Sequence, residues 1–212
     1  MLYRICLSPI TQILSNQLLG ERVMFTVNSG FIGNFKLGDN INHNLEILAY
    51  LYARMADPAD HDSWVLRKPA VIIIGSICEA ILHDLHMRIN TYTREGVTGM
   101  AASVLSHVRG KKIDKFEKYI ASAKKHKLLG PSSDAVYNDL EELRKLRNRV
   151  HIQNEKGHFE PDDAHAFNSR RQESAEKALE KLIKIVAKNH PRPAHAAGHV
   201  QDFDLPWNEH YP

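Results

Sequence analysis

The amino-acid sequence predicts an all-α protein: a four- to five-helix up-and-down bundle with a short N-terminal arm able to close as a β-hairpin. Three observations predict it. Between positions 40 and 190 the apolar residues recur at three- and four-residue spacing instead of alternating. Glycine, proline and capping residues punctuate that stretch at helix-length intervals. Composition is that of a core-forming chain, 43% hydrophobic and 25% charged over 212 residues.

The elements follow in order. Residues 1–39 differ from the rest and form an arm. Residues 10–19 read as a short helix, and residues 22–28 and 31–36 as strands joined by Asn28-Ser29-Gly30, with Met24 as an alternative start. The first bundle helix spans residues 42–56 on Leu45, Leu48, Leu51, Tyr52 and Met55, and Asp57-Pro58 ends it. Pro69 suits the first turn of a central helix running to residue 93 with Ile74, Ile77, Cys78, Ile81, Leu82, Leu85 and Ile89 inward. A short helix over residues 100–108 and a long basic one over 111–128 come next. Gly130 to Asp134 is a stop followed by a cap. Residues 134–152 form the fourth long helix. Pro161-Asp162-Asp163 opens the last, which continues to residue 189 with carboxylates at its positive end. The domain reading is therefore an arm (1–39), a bundle (40–190) and a Pro/His-containing tail (191–212) that wraps or stays loose.

Charge and cysteine content narrow the classes. Net charge is +3, from 28 basic and 25 acidic residues, which permits nucleic-acid contact without demanding it. No run of about 20 apolar residues exists, so no membrane partner is expected, and a cytoplasmic location fits the two cysteines, Cys6 and Cys78. Cys78, inside an apolar helix, reads as a small buried hydrophobe.

The fourth helix carries the chemistry. With Arg144 at zero and about 100° per residue, Arg147 falls near about −60°, Asn148 near about +40° and His151 near about −20°. Val136, Leu140, Leu143, Leu146 and Val150 fill the adjoining arc, so the polar group borders the buried stripe, while Lys145 and Arg149 point to solvent. Cleaving RNA without a metal needs a proton carrier and positive charge on the phosphoryl oxygens. Histidine is the usual proton carrier, which nominates His151. Arg144 or Arg147 can grip phosphate with two parallel hydrogen bonds, and Asn148 can orient the imidazole or hold an oxygen. The plain alternative is that arginine and histidine near a helix C-terminus only answer the macrodipole.

Residues 143–152, Leu-Arg-Lys-Leu-Arg-Asn-Arg-Val-His-Ile, lie late in a bundle and precede a polar loop and one more long helix. In this they resemble the HEPN superfamily, whose motif is an arginine, often followed by a polar residue, then four to six residues and a histidine. The likeness covers residues 40–190. It implies a bundle that dimerises with the motif helices facing each other, and a metal-independent endoribonuclease without cofactor, of toxin or defence type. It also implies RNA as partner and a nucleotidyltransferase-type antitoxin as a further one. The departure is in the spacing: three residues separate Arg147 from His151, and six separate Arg144 from it, with Lys145 rather than Asn following Arg144. Members with altered motifs bind RNA, nucleotides or proteins without cutting, and this is the alternative function.

Other groups carry blander readings beside sharper ones. Glu79, His83 and His86 fall at i, i+4 and i+7 on the central helix and read as its polar face, with Glu79 also able to reach Arg147 or Arg144 in support. His190, His195 and His199 read as a solvated tail. Lys111, Lys112, Lys115, Lys118, Lys124 and Lys125 read as an exposed face able to follow an RNA backbone. Trp64 and Trp207 read as packing or interface anchors.

Overall fold

The computed structural model describes residues 24–59, 61–93, 96–97, 99–151, 161–193, 195 and 198–212. The described residues are mostly helical, with one small sheet among them. Strand β1 is Phe25–Val27; helices α1 (Phe35–Met55), α2 (Arg67–Thr91), α3 (Ala102–Arg109), α4 (Phe116–Lys125), α5 (Ala135–Asn148), α6 (Asp163–Ala166) and α7 (Ser169–Asn189) follow; strand β2 is Phe203–Leu205. None of these helices is long and apolar enough to cross a membrane. The expected helix over residues 10–19 and Cys6 lie outside the described residues.

Helix α2 is the hub and touches α1, α3, α4, α5 and α7. Its Ile74, Ile77, Cys78, Ile81, Leu82, Leu85 and Ile89 are all buried. Cys78 is a free thiol whose burial pushes its pKa up, as befits a small core hydrophobe. Asn34 caps α1 by accepting from Leu37 N at 3.2 Å. That cap starts α1 seven residues before its apolar repeat becomes readable. At the other end of the core, Asp134 caps α5, accepting from Val136 N at 3.0 Å, while Gly130, at φ +111°, supplies the left-handed turn before it. Helix α4 begins at Phe116 rather than at residue 111, because a lysine run opposes the positive end of a helix dipole. The last helix is broken in two: Phe167 turns into the core, and Asn168 caps α7 by accepting from Arg171 N at 3.0 Å.

The predicted N-terminal hairpin does not form. Residues 31–36 are not a strand; Phe31 and Ile32 are buried and Phe35 already opens α1. Instead β1 pairs antiparallel with β2 from the tail, Phe25 opposite Leu205 and Val27 opposite Phe203. A distant partner outcompetes the local turn because β2 is buried on alternate residues and brings Phe203 against Phe31, ring centroids 6.0 Å apart. The tail thus wraps the bundle. Trp207 packs beside Tyr52, and the buried Glu176 and Glu180 of α7 hold the chain end. Glu180 accepts from His210 N at 3.0 Å and Tyr211 N at 2.7 Å; Glu176 accepts from the Tyr52 hydroxyl. His190 is not solvated: Nε2 donates to Leu128 O at 2.7 Å, and burial lowers its pKa. His195 and His199 are exposed as expected.

Candidate functional site

Helix α5 sets the position of the motif. Val136, Leu140 and Leu143 are buried against α2 and α7, leaving the polar arc at the edge of the seam. The approach of α5 to α2 is close at Gly75, where an added Cβ would lie 2.9 Å from Arg147 Cβ and 3.2 Å from its Cγ. Glycine is what lets the Arg147 stem cross α2. The guanidinium then reaches Glu79, one helical turn on, with Nη2 2.6 Å from Oε2. Both side chains stay partly exposed, 32% for Arg147 and 23% for Glu79. The expected contact across the bundle is therefore made by Arg147 and not by Arg144.

Arg144 turns to its own helix. Its Nε donates to Glu141 Oε2 at 2.9 Å and its Nη2 donates to the other carboxylate oxygen, so Glu141 is held below the usual carboxylate range. Lys145 pairs with Glu142 at 2.6 Å near solvent. Arg149 is not solvated as its wheel position suggested. It pairs with Asp163 at 3.0 Å and donates to Pro161 O at 2.6 Å, and Asp163 also meets Lys68, which holds its carboxyl below the usual range. This triad ties the end of α5 and the start of α2 to the start of α6, closing the chain on either side of residues 152–160.

His151 is off the helix. Helix α5 ends at Asn148, and the next three amides bond back by three residues: Arg149 N to Leu146 O at 3.0 Å, Val150 N to Arg147 O at 3.2 Å and His151 N to Asn148 O at 3.3 Å. A tightened turn of this kind advances about 120° per residue, so i and i+3 eclipse. His151 therefore lies beyond the α-helical period that would set it between Arg144 and Arg147. His151 is exposed, and no hydrogen bond or ion pair joins its ring to another described residue. Asn148 is half-buried. The arrangement is an open, half-charged surface. A cleft of ≈ 290 Å³ lies beside it between α5 and α7, lined by Asp139, Leu143, Leu146, Arg149 and Arg171 among others, but it excludes Arg144, Arg147, Asn148 and His151.

Behind Glu79, the polar face of α2 runs from the exposed His83 to the buried His86. His83 Nδ1 shares a 2.8 Å hydrogen bond with the Tyr119 hydroxyl. His86 is buried against the same ring, centroids 5.0 Å apart, and its Nδ1 donates to Leu82 O at 2.7 Å. Burial pushes its pKa down to about 4. Among the described residues no cluster of His, Cys, Asp or Glu has the shape to hold a metal ion. Trp64 is exposed and Trp207 buried, so only the second acts as an anchor within the chain. The sequence reading missed the Arg149–Asp163–Lys68 triad and the buried Asp84–Arg88 pair of α2. Asp84 and Arg88 stand at i, i+4 inside an apolar helix, a signal that was readable. No family model, curated protein or solved structure matches the chain.

Proposed function

We propose that the chain is a HEPN-like bundle acting on RNA, with metal-independent endoribonuclease activity centred on Arg147 and His151. The observation that carries this reading is the Glu79–Arg147 pair. A carboxylate from a neighbouring helix aims the guanidinium, yet about a third of the arginine side chain stays open to an incoming phosphate. In this reading His151 takes the proton from a 2′-hydroxyl or returns one to the leaving 5′-oxygen. Arg147 neutralises the phosphoryl oxygens, with Arg144 and Asn148 supporting and Glu79 positioning. Two copies with their motif ends facing would enclose the open surface and supply the second proton carrier. RNA cut by the chain in EDTA should carry 2′,3′-cyclic phosphate ends. His151→Ala should lower the rate by about 10²–10⁴ without shifting the melting temperature. Cleavage that persists in His151→Ala would overturn the assignment.

One observation favours a second reading. Arg144 and Arg147 each already hold a carboxylate, so phosphate must displace or share it. A non-catalytic module binding RNA, a nucleotide or a protein partner such as an antitoxin fits that balance. Binding of RNA without any cyclic-phosphate product selects it.

A further inference from the structure

A second positive surface lies where α3 meets α4. Residues 107–127 hold eight lysines and arginines against two acids, +6 in a chain whose total is +3. The two acids do not dilute it evenly. Asp114 is occupied by Lys118 at 2.9 Å and Lys112 at 3.4 Å. Lys111, Lys115, Lys124, Lys125 and Lys127 are exposed. At the α3–α4 junction Lys111 and Lys125 lie close to a pair of histidines. The rings of His107 and His126 lie 4.6 Å apart, and Lys125 Nζ donates to His107 Nε2 over 3.4 Å. His126 Nε2 is buried with no partner among the described residues. Burial first, then Lys125 and Lys111, push the pKa of His107 down; burial, His107 and the same two lysines do so for His126. Behind His126 stands His86, kept neutral by burial. Among the described residues the charged groups that shift these rings are lysines and not carboxylates, so the cluster gathers donors and positive charge.

We infer that Lys111, Lys125 and His107, with the tilted ring of His126 beside it, form a phosphate-binding site that docks a single-stranded nucleic-acid backbone. The lysines along α4 extend it: ten residues of helix span about 15 Å, room for a few successive phosphates. A lipid surface fits less well. The apolar side of α4 is spent in the core, since Phe116, Tyr119, Ile120 and Ala123 are buried, and none of the large exposed hydrophobic residues falls within 107–127. The choice of polymer rests on the RNA-acting reading; the phosphate site does not. Phosphate here would also raise the affinity of both imidazoles for protons, so binding strengthens as pH falls.

The test uses the full chain and a fluorescent oligonucleotide of about 20 deoxynucleotides, which binds through the same phosphates but has no 2′-hydroxyl to react. Anisotropy titrations between about 50 and about 200 mM salt give the slope of log affinity against log salt. The double variant Lys111→Gln/Lys125→Gln should lower that slope by about 1.4, at about 0.7 for each single-strand phosphate that is no longer neutralised. Lys36→Gln/Lys188→Gln removes the same charge from other exposed positions and should leave the slope near wild type. Equal reductions in both double variants, or none in the first, overturn the site. Inorganic phosphate moving the His107 ring signals while the oligonucleotide does not, or binding only to phosphatidylserine vesicles, overturns the nucleic-acid assignment. Because the probe cannot be cut, a chain that never cleaves RNA leaves this result intact and removes only the nuclease reading.

Discussion

Helix α2 supplies the carboxylate of two carboxylate–arginine pairs, one closed within α2 and one reaching Arg147 of α5, each laid against a glycine, and they do opposite things. Asp84 and Arg88 lie together at 3.3 Å with only 3% and 5% of their side chains exposed, and the Arg88 stem crosses Gly33 as Arg147 crosses Gly75. Asp84 also accepts from Gly33 N at 2.9 Å and Asn34 N at 3.1 Å, and Arg88 Nη1 donates to His190 O at 3.0 Å. This pair fastens the N-terminal arm and the C-terminal end of α7 to α2. Its 3.3 Å contact is an ion pair rather than a hydrogen bond, because Arg88 Nε and Nη2 find no acceptor among the described residues. Burial pushes the Asp84 carboxyl up and the Arg88 guanidinium down, the mark of charges taken out of water. Glu79–Arg147 is shorter, at 2.6 Å, but several times more exposed. The lesson is that distance does not rank the pairs. Burial and backbone partners decide which one is structural, and partial exposure leaves the other free to change partner.

The largest test of that contrast is Asp84→Ala. It strands a buried guanidinium and two backbone amides, so urea unfolding should show a loss of about 3–5 kcal/mol. A loss under about 1 kcal/mol would erase the difference between the pairs. Next comes acid. His86 is neutral in the fold down to about pH 4, whereas the unfolded chain takes up a proton near 6.5. The unfolded state therefore holds more protons in that window. Stability rises with pH across it and is lost as pH falls, by about 3 kcal/mol at the lower end. His190, shifted the same way, adds to the slope. His86→Phe keeps a ring beside Tyr119 and should flatten the pH dependence of unfolding while leaving stability near about pH 7.5 little changed. An unaltered slope would mean that His86 opens to water before the fold is lost.

Smaller again is Gly75→Ala. The new methyl meets Arg147 Cβ, which is fixed to the backbone, so α2 and α5 must part slightly, at about 1–3 kcal/mol. The same shift swings Arg147 away from Glu79, so RNA cleavage should fall further than stability does. Equal falls would place the site elsewhere.

The bundle was legible because its helices bury regular stripes, and Cys78 and Leu140 fall where the repeat puts them. What escaped was set by long-range competition. Residues 31–36 alternate like a strand, yet Phe31 and Ile32 gain more by plugging the core beside Phe203. Arg149 looked solvated on a helical wheel because Asp163 is far along the chain. His151 fell out of register because a helix end tightens where its last carbonyls lack α-helical partners, which no period reveals. The Glu79–Arg147 contact was readable in advance as a charge pair, but the glycine that makes it possible was not.

Glu79→Gln is the smallest change and the most telling. It keeps size and an acceptor oxygen and removes one charge from a pair roughly a quarter to a third exposed. Partly hydrated ion pairs contribute little, so unfolding free energy should move by less than about 1 kcal/mol. The consequences for RNA have opposite signs. Removing the carboxylate leaves Arg147 more positive toward phosphate, so affinity for single-stranded RNA at low salt should rise severalfold. Removing the anchor lets the guanidinium fork wander from the scissile phosphate, so the rate of cleavage by the bound chain should fall by about tenfold or more. Instability cannot strengthen binding while slowing the chemistry. Single-turnover cleavage beside equilibrium binding separates the two effects. If both stay at wild type, Glu79 is only a surface partner, and the two pairs on α2 differ in burial but not in role.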